Sequence, residues 1–132
     1  MSTFFSRALL PMLAIFCFAI TIVHADENSM ISASDASKYV GQKKTVCGKI
    51  ASTKYLSSNS RQPTFLNLDK AYPDQIFTIV IWGSDRKNFP KPPETAYADQ
   101  KLCVTGTITN YKDKPEIVVN SPGQIQIMTE KK

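Results

Sequence analysis

Apolar and polar positions alternate with the period of a strand through much of the chain between Lys44 and Met128. In Lys44–Ser52 ("KTVCGKIAS"), Val46, Gly48 and Ile50 fall on one side and Thr45, Cys47 and Lys49 on the other, as in a half-buried strand. Lys101–Thr109 ("KLCVTGTIT") repeats the pattern, setting Leu102, Val104, Gly106 and Ile108 against Lys101, Cys103, Thr105, Thr107 and Thr109. Thr64–Leu68 and Gln75–Trp82 form two further strands around "DKAYPD", whose proline and aspartates favour a turn. After the turn "NYKDK", Pro115–Val119 predicts a fifth strand, and "QIQIM" extends it beyond the Ser121-Pro122-Gly123 break.

The remaining segments read as connections. "SASDASKYVGQ" predicts a brief helix capped by Ser32 or Ser34, with Ala36, Tyr39 and Val40 on one face and Gly41 at its end. Thr53–Gln62 is polar and serine-rich, as a loop should be. Pro90, Pro92 and Pro93 disrupt any regular helix between Ser84 and Gln100, leaving an extended or irregular connection with at most one helical turn. Five short strands with glycines inside the first and fourth predict an all-β fold, a small and strongly bent barrel.

The N-terminal residues predict a different fate. Arg7 precedes an apolar run from Ala8 through Ile20 to Val23 that closes with Val23-His24-Ala25, the pattern of a secretory signal with a small-residue cleavage site. Retention as an anchor is the competing reading, but the run is short for a spanning helix and contains Pro11. A lipoprotein reading of Cys17 is opposed by Phe16, which stands where such sites carry a small residue. Cleavage after Ala25 removes 25 of the 132 residues and leaves one domain over 26–132, with its core at about 34–128, in a periplasm or outside the cell. The formal charge of +5 falls to about +4 without Arg7, which permits an anionic partner without requiring one. No integral membrane segment is expected after cleavage.

Export also changes the chemistry available. The only histidine, His24, leaves with the signal, so imidazole base catalysis, metal ligation and pH switching are excluded. Cys47 and Cys103 remain, and an oxidising compartment makes them the expected disulfide; two unpaired thiols are the alternative, whereas a redox-active pair would call for closer spacing. No serine has a histidine partner, no glycine-rich phosphate loop follows a strand, and Asp69 with Asp74 and Asp113 with Glu116 read as solvated carboxylates of turns. The expectation is therefore a non-catalytic protein with no cofactor and no metal.

Four stretches, "YVGQKKTVCGKI", "PTFLNLDKAYPDQIFTIVIWG", "KLCVTGTI" and "YKDKPEIVV", together with the doubled pattern V-x-G-x-I, resemble a small exported bacterial OB-fold protein, related to modules found beside secreted nucleases. The resemblance implies a five-stranded Greek-key barrel in which the first and fourth strands are antiparallel neighbours, so that Cys47 and Cys103 face each other. It departs from the pattern in an added N-terminal helix and in the proline-rich connection that replaces the usual helix after the third strand.

The resemblance also implies a binding face on the second and third strands, flanked by two loops. Alternation points Leu66, Leu68, Phe77, Ile79 and Ile81 inward and leaves Phe65, Asn67, Ile76, Thr78, Val80 and Trp82 on the other side. Phe65 and Trp82 resemble platforms on which single-stranded bases stack, although each aromatic could instead pack beneath the N-terminal helix or the proline-rich connection. The flanking loops add Lys54, Tyr55 and Arg61 on one side and Tyr111, Lys112 and Lys114 on the other, cations near rings of the kind a phosphate backbone with stacked bases requires. Single-stranded DNA or RNA, or another polyanion, is the first expected partner. A protein partner in an envelope-stress role is the second reading, and an accessory or degenerate nuclease the third.

Overall fold

The computed structural model describes Pro11, residues 14–22 and residues 29–130. The expected cleavage junction at Val23-His24-Ala25 lies outside the described residues, as does Arg7. Within 14–22, Ile15, Phe16, Phe18, Ile20 and Ile22 are all exposed, as is the unpaired Cys17. No helix among the described residues is long and apolar enough to cross a membrane.

Among the described residues seven strands form, not five: β1 (Met30–Ser32), β2 (Lys43–Tyr55), β3 (Thr64–Leu68), β4 (Phe77–Ile81), β5 (Lys101–Tyr111), β6 (Lys114–Val118) and β7 (Ile125–Ile127). Five of them close a ring in the order β2-β3-β4-β6-β5, sealed by pairing of β2 with β5. All contacts around the ring are antiparallel except that of β4 with β6. The long strands β2 and β5 each serve two sheets. The first half of β2 pairs with β5, its second half pairs with β3, and a register shift between Ile50 and Ser52 makes the corner.

The two additional strands flank this ring. β1 lies parallel to β2, and β7 lies antiparallel to β5. "QIQIM" therefore does not prolong the fifth predicted strand but crosses to the far side of β5. The reason is the break it follows: Ser121 caps a 3-10 turn at Pro122–Gln124, its hydroxyl accepting the Gly123 N–H while Gln124 Oε1 accepts the Ser121 N–H. The organised body thus begins at Met30, a little before the expected core.

Alternation correctly assigns the core. Val46, Ile50, Leu66, Leu68, Phe77, Ile79, Ile81, Leu102, Val104, Ile108 and Ile117 are fully buried. Gly106 has a packing reason: a Cβ there would lie 2.6 Å from Ile117 Cγ2, so only glycine lets β5 bend against β6 so closely. The predicted N-terminal helix is a 3-10 helix, Ala33–Tyr39, whose Ala33 and Ala36 enter the core and whose end is marked by Gly41 at φ +87°. Ser32 makes no cap hydrogen bond; its hydroxyl goes to the Asp35 carboxylate instead.

The proline-rich connection holds more helix than expected. A 3-10 segment, Gly83–Asn88, precedes a single α-turn, α1 (Pro93–Ala96). Pro93 stands in the first helical turn, where its missing N–H costs nothing. Phe89 and Tyr97 meet edge to face at 6.4 Å and join the core cluster.

Candidate functional site

Strand extension rearranges the expected loops. β2 runs on to Tyr55, so Lys54 and Tyr55 belong to a strand rather than a loop, and Tyr111 and Lys114 likewise end β5 and begin β6. Only Lys112 and Asp113 remain in that turn, both with positive φ (48° and 64°), the sign pattern of a tight two-residue hairpin. Glu116, read with Asp113 as a solvated turn carboxylate, lies within β6, the strand predicted over Pro115–Val119.

Register then sorts the side chains. Cross-strand partners run Ser52–Asn67–Thr78–Glu116–Thr109 in one row and Lys54–Phe65–Val80–Val118 in the next. Both rows lie on the outward side of the ring, opposite the buried Leu66, Ile79 and Ile117. The outward face therefore gathers Lys54, Phe65, Asn67, Thr78, Trp82, Tyr111 and Lys114. Tyr55 alternates with Lys54 and turns the other way.

Outward does not mean open. Asn67 is only 2% exposed and Thr78 7%, even though both were expected on the less buried side. The Asn67 amide donates to Ser52 Oγ at 3.1 Å and its oxygen accepts from Thr78 Oγ1 at 3.2 Å. Ser52 Oγ also accepts the backbone N–H of Tyr72 at 3.1 Å, and Lys114 Nζ donates to the Pro73 carbonyl. The turn between β3 and β4 thus folds back over the polar row, a cover that alternation within the strands does not disclose. It is this turn, and not the N-terminal helix, that closes this part of the face.

The second row is more accessible. Lys54 and Val118 are exposed and Phe65 is half-buried, while Val80 between them is buried. Just past the end of β4, two residues on from Val80, the guanidinium of the exposed Arg61 stacks 3.8 Å from the centroid of the half-buried Trp82 ring. Gly83 makes that approach possible. Its N–H donates to the Arg61 carbonyl at 3.0 Å, and a Cβ would fall 2.7 Å from Gln62 Cβ. At the opposite end, Lys112 Nζ sits 5.4 Å from the centroid of Tyr111, a ring 61% exposed. The loop candidates consequently occupy two ends of the face rather than one cluster.

Tyr55 has a different employment. Its ring lies 3.6 Å beneath the Arg86 guanidinium, which donates to Thr64 Oγ1 at 2.5 Å and grips both carboxylate oxygens of Glu94 at 2.7 and 3.1 Å. Thr53 Oγ1 donates to the Glu94 carbonyl at 2.9 Å. This cluster ties α1 to β2 and β3. The hydrogen bonds from Arg86 hold the Glu94 carboxyl below the usual carboxylate range. Arg86 was not among the sequence candidates because only tertiary contact brings it to Tyr55.

On the other flank, Cys47 and Cys103 are direct partners across β2 and β5 and form a disulfide with Cα atoms 4.1 Å apart. A shallow hollow of about 300 Å³ runs along the proline-rich connection past Arg86, Lys87 and Lys91, and shares no residue with the outward face.

No known family's sequence profile matches the chain, and no curated protein matches it. Among solved structures it is similar to a protein described as an aspartyl-tRNA synthetase from Leishmania major Friedlin, with a TM-score of 0.51 and 14% identity over 86% of this chain. That match covers 23% of the other chain, so the present chain spans under a quarter of its length. At such identity the likeness is one of fold.

Proposed function

We propose that the ring is an OB-fold barrel carrying two extra flanking strands, and that the protein is an exported, non-catalytic module binding single-stranded nucleic acid through the outward face of β2, β3 and β4. The observation that carries this reading is the row Lys54–Phe65–Val80 with the Arg61–Trp82 stack beyond it, two residues on from Val80 along the chain. It offers rings on which bases can lie and cations for the phosphates between them. The five-strand ring with long, bent first and fourth members is the architecture in which such a face serves this purpose. The structural likeness to a segment of an enzyme named for tRNA supports the same class of ligand. The disulfide and the apolar N-terminal run support export.

A second reading has its own observation. β1 and β7 are short flanking strands with exposed Met30, Ile127 and Met128, where an extended protein segment could add a strand. One titration separates the two. Trp82 fluorescence of the oxidised protein, followed with single-stranded DNA, RNA and heparin at low and moderate salt, is expected to be quenched by the nucleic acids, less so as salt rises, and not by heparin. Absence of any response or competition would move the assignment to the protein-interaction reading. Added calcium is expected to leave the oligonucleotide uncut.

A further inference from the structure

We infer that Tyr72, on the turn between β3 and β4, is a second stacking platform at the far end of the face from Trp82, so that the site is bipartite and selects strands long enough to reach both ends. The inference rests on the nucleic-acid reading above.

Tyr72 is the most exposed ring among residues 29–130, at 74% of its surface. Its backbone is nevertheless held on both sides. The Tyr72 N–H donates to Ser52 Oγ, and the carbonyl of the next residue, Pro73, accepts from Lys114 Nζ, which also reaches Gln75 Oε1 at 3.5 Å. A turn pinned at both flanks while its ring faces solvent presents an aromatic surface with much of the ordering cost already met. Lys114 is itself the direct cross-strand partner of Tyr111, whose ring is likewise exposed. Two exposed rings, Tyr72 and Tyr111, therefore belong to the segments that Lys114 joins at this end.

The charge at this end points to stacking rather than phosphate attraction. Asp74 shares the turn with Tyr72 and Asp113 shares the turn with Lys112, so neighbouring carboxylates offset the lysines. Stacking on a ring is indifferent to that balance. From the rise along a strand, Trp82 and this end lie roughly 15–20 Å apart. A single strand would need roughly four to six nucleotides to touch both.

The test compares a thymidine dinucleotide with an oligothymidylate of about eight nucleotides, reading Trp82 fluorescence in the oxidised full chain and in its Tyr72→Ala and Tyr72→Phe variants. Unmodified protein is expected to bind the longer strand far more tightly. Tyr72→Ala should weaken the longer strand by roughly fivefold to a hundredfold and leave the dinucleotide unchanged, while Tyr72→Phe retains both affinities. The slope of affinity against salt should not change in Tyr72→Ala, because no phosphate contact is lost. Equal affinity of Tyr72→Ala and unmodified protein for the longer strand would overturn the inference, as would equal losses on both ligands, which would mark a merely structural turn. If neither strand binds the unmodified protein, the nucleic-acid reading itself has failed and this one falls with it.

Discussion

Arg61 sits over the Trp82 ring, its guanidinium carbon 3.8 Å from the ring centroid, and the loop carrying Arg61 is hydrogen-bonded to Gly83, the residue that follows Trp82. The cation is thus delivered to the ring by backbone geometry. On the nucleic-acid reading proposed above, this stack is where a base would lie, since ring and guanidinium both favour flat aromatic groups.

Gly83→Ala tests that delivery. Its Cβ would meet Gln62 Cβ at 2.7 Å and the Arg61 carbonyl at 3.0 Å, so the loop must retreat. The expected result is a loss of about 1–3 kcal/mol in urea unfolding, as for other overpacked sites, with a red-shifted Trp82 emission. Unchanged emission would show that Arg61 holds its place without Gly83.

Reduction of the Cys47–Cys103 bridge should be costly. It joins residues 56 apart, and in the chain-entropy account a loop of that size corresponds to about 4 kcal/mol. The Cys47→Ser, Cys103→Ser double variant is expected to lose stability on that scale by chemical denaturation, with an unchanged strand signal in far-ultraviolet circular dichroism under native conditions.

The Arg86–Glu94 pair makes an acid-side prediction. Glu94's folded pKa lies below its unfolded value, chiefly through its hydrogen bonds to Arg86. The stability this adds is present above the unfolded pKa and lost as pH falls through the folded one. Glu94→Gln should therefore lower stability at neutral pH and flatten the decline in stability below about pH 5. Arg86→Ala should cost about 2–3 kcal/mol, since it strands hydrogen bonds to Glu94 and Thr64.

Glu116 works in the opposite sense. It sits in the polar row of the outward face between Thr78 and Thr109, and burial raises its pKa. A raised folded pKa means a contribution that is present below the unfolded pKa and lost as pH rises through the folded one. Glu116→Gln is expected to raise stability at pH 7, measured by thermal unfolding, and to tighten binding of single-stranded DNA by removing a negative charge from the face. Weaker DNA binding by this variant would argue against the face as an anion site.

Much of this architecture could be read along the chain. The inward positions of the five main strands followed from alternation because a pleated strand places successive side chains on opposite faces, and Leu66, Phe77, Ile79, Ile108 and Ile117 are all fully buried. Strand ends were harder. Lys54, Tyr55, Tyr111 and Lys114 look like loop residues because they are polar or amphipathic, yet ladder pairing with a neighbouring strand carries the backbone through them.

Residue type and a period of two were enough to place the inward positions, the two cysteines on matching strand sides and the aromatic and basic residues along the outward face. Tertiary structure alone decided that β1 and β7 flank the ring and that the β3–β4 turn folds over Asn67 and Thr78. It also decided that Arg86 takes Tyr55 while Arg61 takes Trp82. These outcomes depend on contacts between segments distant along the chain, where hydrogen-bond geometry and packing select one partner among several chemically equivalent ones, and no local pattern records that choice.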